Sequence, residues 1–244
     1  SIDTDGDVWG GAIGISSWGQ GRSIIKNSIF KGNQSIGKYN AAGSAIATNS
    51  PLELKNNLVY NNTVSSEQGT ARAAIFLEDI DTEIVDHSVL VNNTVVNNNA
   101  VGPLSDDNTS GIYVREYYYD QMSRAQHTVY AFNNIVYGNA VSQIISPLTF
   151  DDAIIRSDHN LIQNLDQGIV ENPDLTFDYS YDFDPAFKDT ANGDFSLSDK
   201  SLALGKGVSE WNLYIPLSSP STDIIGKNRP FPSGTNPDLG AYEN

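Results

Sequence analysis

The densest group of charged and aromatic side chains lies in residues 115–124, directly after an apolar run that ends at Val114. Its members are Arg115, Glu116, Tyr117, Tyr118, Tyr119 and Arg124. Insertions in repeat proteins usually gather on one face, which is often the binding surface. We therefore predict that these residues contact a ligand. The alternative is that the tyrosines cover an otherwise open edge of the fold.

Three aspartates stand at alternating positions near the start of the chain, Asp3, Asp5 and Asp7, around Gly6. Carboxylates in this spacing can converge on one hard cation where a glycine lets the backbone turn sharply. The bidentate Glu that completes such a loop does not follow at the twelfth position. The pattern predicts a Ca2+ site, with a solvated acidic turn as the alternative.

Groups that could act in polysaccharide lysis are few. A lyase needs a basic Arg or Lys, and a cation that neutralises the sugar carboxylate next to the proton it removes. The best candidates are Arg115 together with Lys26 and Lys55, which precede equivalent Asn positions and are expected to stack on one outer face. They make a polysaccharide lyase, or a non-catalytic half of one, the alternative function.

A hydrolase would need two or three acids at set separations. The pairs Asp151–Asp152 and Asp158–His159 could form such a group, but acids of loops or turns are the simpler interpretation. The three histidines are scattered and show no metal-ligand spacing. The sequence therefore predicts no catalytic residues.

A short Asn-rich motif recurs along the chain and indicates how these residues are positioned. It begins at Asn27, Asn56, Asn93, Asn133 and His159, with spacings of 29, 37, 40 and 26 residues. Self-similarity at a period of about 20–50 residues is typical of a stacked solenoid. Asn tolerates left-handed backbone angles, and its amide can bond to the coils above and below. We predict that Asn27, Asn56, Asn93 and Asn133 form a structural ladder at one corner.

A second element alternates with the Asn motif and consists of small residues followed by alternating apolar ones. It occurs in residues 11–15, 43–47, 73–77 and 110–114. These runs predict short strands. Because the sequence shows no sustained 3.6-residue apolar period, we expect no long helix. The expected fold class is all-β, with two strand signals in each of four units.

Composition limits the function classes. The chain has 244 residues, no cysteine and a formal charge of -16, with 14 Lys and Arg against 30 Asp and Glu. This balance argues against nucleic acid and anionic membranes as partners, and it fits an extracellular or bacterial cell-surface protein. No apolar run approaches the roughly 18 residues of a transmembrane segment. Because residue 1 already resembles the middle of an array, we expect flanking domains of a longer polypeptide.

From about residue 165 the pattern changes. The runs at 184–189, 193–197, 226–230 and 238–243 read DPAFKD, GDFSL, GKNRP and DLGAYE. This succession resembles the C-terminal region of bacterial secreted proteins of the pectate-lyase-like superfamily, which usually precedes a cell-envelope anchor or sorting segment. The resemblance implies a right-handed parallel β-helix, with coils in residues 1–164 and the last coils and an irregular C-terminal cap of the same domain in residues 165–244.

A cap is needed because the end of a solenoid exposes strand edges and an open core. The residues expected to seal the last coil are Phe187, Phe195, Leu197, Leu202, Leu204 and Trp211. Arg229 is expected to pair with Asp238 or Glu243 and fasten the tail. The leading functional hypothesis is a secreted or surface-displayed scaffold or adhesin that binds a polysaccharide or cell-surface glycan.

Overall fold

The computed structural model describes residues 2–3, 6–16, 21–80, 87–103, 108–117, 128–145, 154–164 and 176–244. Nearly all regular structure in these ranges is β-strand, and their one helix is a 3-10 turn at Thr190–Asn192. The prediction of an all-β chain is confirmed. The strands form successive units that repeat the same order.

The first three units contain five strands each. Unit 1 has β1 (Ile2–Asp3), β2 (Val8–Trp9), β3 (Ile13–Ile15), β4 (Ser23–Lys26) and β5 (Ile29–Lys31). Unit 2 has β6 (Gln34–Gly37), β7 (Ala41–Ala42), β8 (Ile46–Thr48), β9 (Leu52–Lys55) and β10 (Leu58–Tyr60). Unit 3 has β11 (Thr63–Ser66), β12 (Ala71–Arg72), β13 (Ile75–Ile80), β14 (His87–Val91) and β15 (Thr94–Val96).

The later units have fewer described strands. Unit 4 has β16 (Asn99–Val101), β17 (Ile112–Tyr117), β18 (Thr128–Phe132) and β19 (Ile135–Tyr137). Unit 5 has β20 (Ile144–Ile145), β21 (Ile154–Asp158) and β22 (Leu161–Ile162), and unit 6 begins with β23 (Thr176–Asp178). Two short hairpins follow, β24 (Phe187–Asp189) with β25 (Asp194–Leu197), and β26 (Glu210–Trp211) with β27 (Leu217–Ser218).

Equivalent strands of successive units pair in parallel and form five sheets. Sheet 1 is β1-β6-β11-β16, sheet 2 is β2-β7-β12, and sheet 3 is β3-β8-β13-β17-β20. Sheet 4 is β4-β9-β14-β18-β21-β23, and sheet 5 is β5-β10-β15-β19-β22. Alternate aliphatic residues of the strands point inward and form one continuous core, as in the row Ile46, Ile75 and Ile112. This stacking is consistent with a β-helix-like solenoid.

A two-residue turn joins sheet 4 to sheet 5 in units 1 to 5. Its first residue has a positive φ, at Asn27, Asn56, Asn92, Asn133 and His159, and so has Tyr179 after β23 in unit 6. Its second residue carries the ladder, which runs through Ser28, Asn57, Asn93, Asn134 and Asn160. A second ladder of the same kind links Asn33, Asn62, Asn98 and Asn139 between sheets 5 and 1.

The ladder bonds explain why asparagine is used. The Oδ1 atom of Asn93 accepts from the backbone N–H and from the Nδ2 of Asn57, both at 3.0 Å. Its own Nδ2 donates to the carbonyl of Leu54 at 2.9 Å and to Oδ1 of Asn134 at 3.0 Å. Each buried amide thereby accepts two hydrogen bonds and donates two, which neither a hydroxyl with its single donor nor a carboxylate with none could do.

The register differs from the sequence expectation by one residue in unit 3. Leu58 pairs with Thr94, so Asn92 is equivalent to Asn56, and Asn93 is equivalent to Asn57. Asn27, Asn56 and Asn133 therefore lie at the left-handed position, whereas Asn93 lies at the ladder position. Both positions carry Asn in this unit, so the residue types could not fix the alignment.

The C-terminal residues 184–244, which we call the lateral segment, lie along the side of the stack. Phe195 packs on Tyr60 of unit 2 with ring centroids 4.8 Å apart, and Trp211 packs on Phe132 of unit 4 at 5.6 Å. The expected seal over the last coil is therefore wrong, because these rings cover the outer faces of sheets 4 and 5. Leu202 is 63% exposed and takes no part in this cover.

The asparagines with positive φ form hydrogen bonds to the lateral segment. Asn133 donates from Nδ2 to the carbonyl of Val208 at 2.8 Å and accepts from its N–H at 2.9 Å. Asn56 donates to the carbonyl of Thr222, and Asn92 accepts from the hydroxyl of Ser219. These side chains point outward, and two of them also bond along the stack, Asn56 to Oδ1 of Asn27 at 3.2 Å and Asn133 to Oδ1 of Asn92 at 3.5 Å.

A buried ion pair joins two residues within the lateral segment, Arg229 and Glu243. Nε of Arg229 lies 3.4 Å from Oε2 of Glu243, and its Nη1 donates to the carbonyl of Gly240 at 3.1 Å. The predicted ion pair of Arg229 is confirmed for Glu243. With Asp238, Arg229 forms a hydrogen bond to the backbone carbonyl and not to the carboxylate. Burial raises the pKa of the Glu243 and Asp238 carboxyls and lowers the pKa of Arg229.

Candidate functional site

The outer face of sheet 3 forms a cleft of about 480 Å³. One row of outward residues runs Gly14, Ala47, Phe76 and Tyr113 through units 1 to 4. The small residues of units 1 and 2 leave space over the sheet, whereas the rings of Phe76 and Tyr113 stack 5.5 Å apart and fill it in units 3 and 4. The cleft therefore lies where the outward row changes from small to aromatic residues.

Trp9 forms one wall of this cleft from the neighbouring sheet 2. Gly10 follows it with φ +77, and an added Cβ there would come within 2.8 Å of the backbone of Ile13 and Gly14. This tight turn leads the chain from β2 into β3 and sets the indole edge-on against Phe76, with centroids 5.0 Å apart. Trp9 keeps 41% of its surface exposed beside the cleft.

A polar row lies next to the aromatic one. It consists of Ser16, Asn49, Glu78 and Arg115, in which Asn49 donates to the hydroxyl of Ser16 at 3.2 Å. Nε of Arg115 donates to Oε1 of Glu78 at 2.6 Å, and a second guanidinium nitrogen contacts the same oxygen. No described residue donates a hydrogen bond to Oε2 of Glu78.

Arg115 is held by rings as well as by charge. Its guanidinium carbon lies 5.7 Å from the ring centroid of Trp9 and 5.3 Å from that of Phe76. Arg72 lies in the same way over Tyr113, at 5.6 Å. Planar guanidinium groups pack well on aromatic faces and keep their charge when partly buried.

Glu78 is the carboxyl group of the cleft whose pKa is shifted. Burial raises the pKa of its carboxyl, and the charge and hydrogen bond of Arg115 lower it by less. The side chain is only 8% exposed, yet it lines the cleft. The Oε2 atom of the buried Glu78 carboxylate can accept hydrogen bonds from hydroxyl groups of a ligand. The exposed indole of Trp9 beside it can pack against an apolar face of the same ligand.

Of the predicted ligand-binding residues, Arg115 lies beside the cleft, where it contacts Glu78 and the ring of Trp9, which line it. Glu116 and Tyr117 continue β17, where they pair with Asp79 and Ile80. Tyr118, Tyr119 and Arg124 lie outside the described residues. Their role as ligand contacts stays a prediction.

The three aspartates predicted to bind Ca2+ are only partly described. Asp3 pairs with Gly37 through β1, and Asp5 lies outside the described residues. Oδ1 of Asp7 accepts from the backbone N–H and from Nδ2 of Asn40, at 2.9 and 3.1 Å. Within the ranges described above, no group of three or more His, Asp or Glu side chains could hold a metal ion.

The other candidates fall on sheet 4, away from the cleft. Lys26 and Lys55 are register partners, and Lys55 forms an ion pair with Glu53. Nδ1 of His159 lies 2.6 Å from Oδ1 of Asp158, and the imidazole stacks on Tyr179 at 5.3 Å. Asp151 and Asp152 lie outside the described residues, so the alternative of a hydrolytic group of acids is not tested.

Sequence reasoning missed Trp9, Glu78 and Phe76 as members of one site. A signal for two of them exists, because Phe76 and Glu78 alternate with the inward Ile75 and Leu77 and must therefore share the outer face. No sequence signal connects Trp9 to them, since it comes from another sheet and another unit.

Comparison with protein-family models, with curated proteins and with solved structures finds no match. In the part of the chain that the structure describes, no helix is long and apolar enough to cross a membrane. The cleft is therefore interpreted from its own geometry.

Proposed function

We propose that this chain is a right-handed parallel β-helix of the pectate-lyase-like type, which acts as a secreted or surface-displayed scaffold or adhesin and binds carbohydrate in the sheet 3 cleft. The parallel stacking and the C-terminal motifs support this class. Parallel strands of one sheet are connected in a right-handed sense in nearly all proteins. The charge of -16 suits a protein that stays soluble outside the cell.

The observation that carries the binding proposal is the pairing of Trp9 with Glu78 across the cleft. An indole that is 41% exposed offers an apolar face, and a buried carboxylate with a free oxygen offers a fixed acceptor. Binding clefts combine apolar and aromatic walls with a few placed polar groups. A pyranose ring has the complementary surface, with C–H groups on its faces and hydroxyl groups around its edge.

The scaffold part of the proposal rests on the two ladders. Successive units are joined by buried amide bonds in addition to the backbone bonds of five sheets. Because each unit contacts mainly its neighbours, such a stack forms a stiff rod on which a surface site is held in place. Such a rod suits an adhesin that presents a site away from a surface.

A polysaccharide lyase is the alternative proposal, since Arg115 contacts two residues that line the cleft, Trp9 and Glu78. Arg115 is already engaged in an ion pair with Glu78, which leaves it poorly placed to remove a proton from a sugar. Lys26 and Lys55 lie on sheet 4 and do not line the cleft. The geometry therefore supports binding more than lysis.

A glycan array followed by titration calorimetry tests the proposal. We expect Trp9→Ala to weaken binding of the selected glycan at least tenfold, and Ala47→Leu to weaken it by filling the cleft floor. Tyr39→Ala is the matched control, because Tyr39 is 46% exposed and does not line the cleft. Equal affinity of wild type and Trp9→Ala would contradict the site.

The same preparations, incubated with alginate, pectate and chondroitin, separate binding from lysis. Ultraviolet absorbance of unsaturated products would establish the lyase alternative and overturn the non-enzymatic scaffold. Titration of Ca2+ against the melting temperature, with Asp7→Asn as the comparison, tests the predicted metal site.

A further inference from the structure

The sheet 3 cleft is short in the direction of the stack. Its lining includes Gly14 of unit 1 and Ala47 of unit 2, and unit 3 contributes Glu78. Because neighbouring strands lie about 4.8 Å apart, this cleft extends roughly 10 Å along the stack, which is room for about two sugar rings in line. Its length therefore limits how much of a glycan chain it can hold.

The cleft is closed toward unit 4. The outward row continues from Ala47 to Phe76 and Tyr113, whose stacked rings are 0% and 1% exposed. Trp9 meets Phe76 edge-on, and the guanidinium of Arg115 lies over the rings of both. A ligand over Ala47 cannot continue along this row, because buried rings fill the next two positions.

The floor on the other side of Ala47 has space above it. Gly14 pairs in register with Ala47, and a Cβ added at Gly14 would contact only the backbone oxygen of Trp9, at 3.6 Å. A chain that begins over Ala47 can therefore extend over Gly14. The cleft thus has one closed end, at Phe76, and a floor two residues long.

The polar group at the closed end is a hydrogen-bond acceptor. Oε1 of Glu78 accepts from Arg115, and Oε2 receives no hydrogen bond from the part of the chain that the structure describes. An ionised carboxylate has no proton to donate. A terminal sugar carries a donating hydroxyl group at the position where an internal sugar has a glycosidic oxygen, which cannot donate. The closed end therefore fits a sugar with a free end.

Charge narrows the class of sugar. Glu78 is the one charged residue among the described residues that line the cleft, and the whole chain carries -16. A negative field repels sugars that bear a carboxylate or a sulfate. The cleft therefore suits a neutral glycan.

We propose that the sheet 3 cleft binds the terminal sugar of a neutral glycan chain and not an internal segment, with the terminal ring over Ala47 and the second ring over Gly14. A hydroxyl group of the terminal ring donates to Glu78, and the indole of Trp9 packs on its face. This inference rests on the proposed carbohydrate binding and narrows the ligand to chains that present a free end.

Titration calorimetry with sugars of defined length tests this inference on the full chain. The probes are glucose with cellobiose and cellohexaose, glucose with maltose and maltohexaose, and xylose with xylobiose and xylohexaose. In a series that binds, we expect the affinity to rise from the monosaccharide to the disaccharide and then to stay within about threefold up to the hexasaccharide, because only two rings contact the cleft. A closed ring of glucose units, α-cyclodextrin, has no chain end and should bind more weakly than maltohexaose.

Two variants assign the positions of the rings. Ala47→Leu fills the place of the terminal ring and should weaken binding of the monosaccharide and of the disaccharide by a similar factor, about tenfold. Gly14→Leu fills the place of the second ring and should weaken binding of the disaccharide more than that of the monosaccharide. Tyr39→Ala is the control outside the cleft. The length series uses the wild type and so does not depend on the folding of either variant.

The possible failures can be told apart. A hexasaccharide that binds more than about tenfold tighter than its disaccharide would overturn terminal binding and leave the carbohydrate cleft in place. Equal binding of α-cyclodextrin and maltohexaose would do the same, since no chain end would then be needed. Failure of every probe to bind would contradict the proposed function, and the inference with it.

Discussion

Two buried polar side chains of this protein bond in different ways. At the corner between sheets 4 and 5, the amide of Asn93 hydrogen-bonds to the units on both sides. On the outer face of sheet 3, the Glu78 carboxylate accepts from Arg115 through Oε1, and no described residue donates to its Oε2. Both side chains are more than nine-tenths buried. Oε2 of Glu78 accepts no hydrogen bond from the described residues, so it is available to a hydroxyl group in the cleft, whereas the Asn93 amide has its partners within the stack. The corner bonds stabilise the stack, and the face is the place where we propose that a ligand binds.

Replacing a ladder residue should have the largest effect on stability. Asn93→Ala removes four buried hydrogen bonds, two accepted from the backbone N–H and Nδ2 of Asn57 and two donated to the carbonyl of Leu54 and to Oδ1 of Asn134, and we expect a loss of about 3–5 kcal/mol. Urea unfolding measures this loss. Asn99→Ala is the control, because Asn99 is exposed, and it should change the stability by less than about 0.5 kcal/mol. Equal effects of the two would break the comparison.

The second largest effect on stability is expected for Phe195, the apolar residue through which the lateral segment packs on the stack. Phe195 is 1% exposed between Tyr60 and Phe187, so Phe195→Asp buries a charge and should cost about 3 kcal/mol. A lower melting temperature in calorimetry would show this. Leu202→Asp, at a site 63% exposed, should leave the melting curve unchanged. An unchanged curve for Phe195→Asp would refute the lateral cover.

A third variant separates the two residues of the turn. Asn133→Gly keeps the left-handed backbone at φ 57 but removes both side-chain bonds to Val208. We expect a loss of about 1–2 kcal/mol and earlier proteolysis in residues 205–220. Asn134→Ala, at the ladder position, should cost more, because Asn134 has more buried bonds to neighbouring units; an equal or smaller loss would contradict this ranking.

The smallest expected effect concerns Glu78 and pH. Burial raises the pKa of this carboxyl above its ordinary 4.5, so the folded state keeps the proton where the unfolded state releases it. Its contribution to stability is present below pH 4.5 and is lost as the pH rises through the folded pKa.

Glu78→Gln cannot titrate, and its stability should therefore fall less than that of the wild type between pH 4.5 and neutral pH. Unfolding by urea at several pH values measures the two slopes. Parallel slopes would show that Glu78 is not the perturbed group of the cleft.

Much of the fold follows from local sequence. The alternation of Ile75, Leu77 and their equivalents predicts strands, and the recurring Asn pairs predict stacked units. The position of the lateral segment could not be predicted, because Phe195 and Trp211 would serve equally well over an end or along a side. Apolar pattern determines that a face is covered, but not which one.

The sequence by itself determined that the chain is all-β, repetitive and acidic, because strand period, motif spacing and charge are local or summed properties. Only the tertiary structure decided which Asn of each pair faces the neighbouring unit, since a shift of one residue exchanges inward and outward sides. It also decided that Trp9 meets Glu78 and Arg115. Stacking places residues of three units side by side, at separations along the chain that no local pattern encodes.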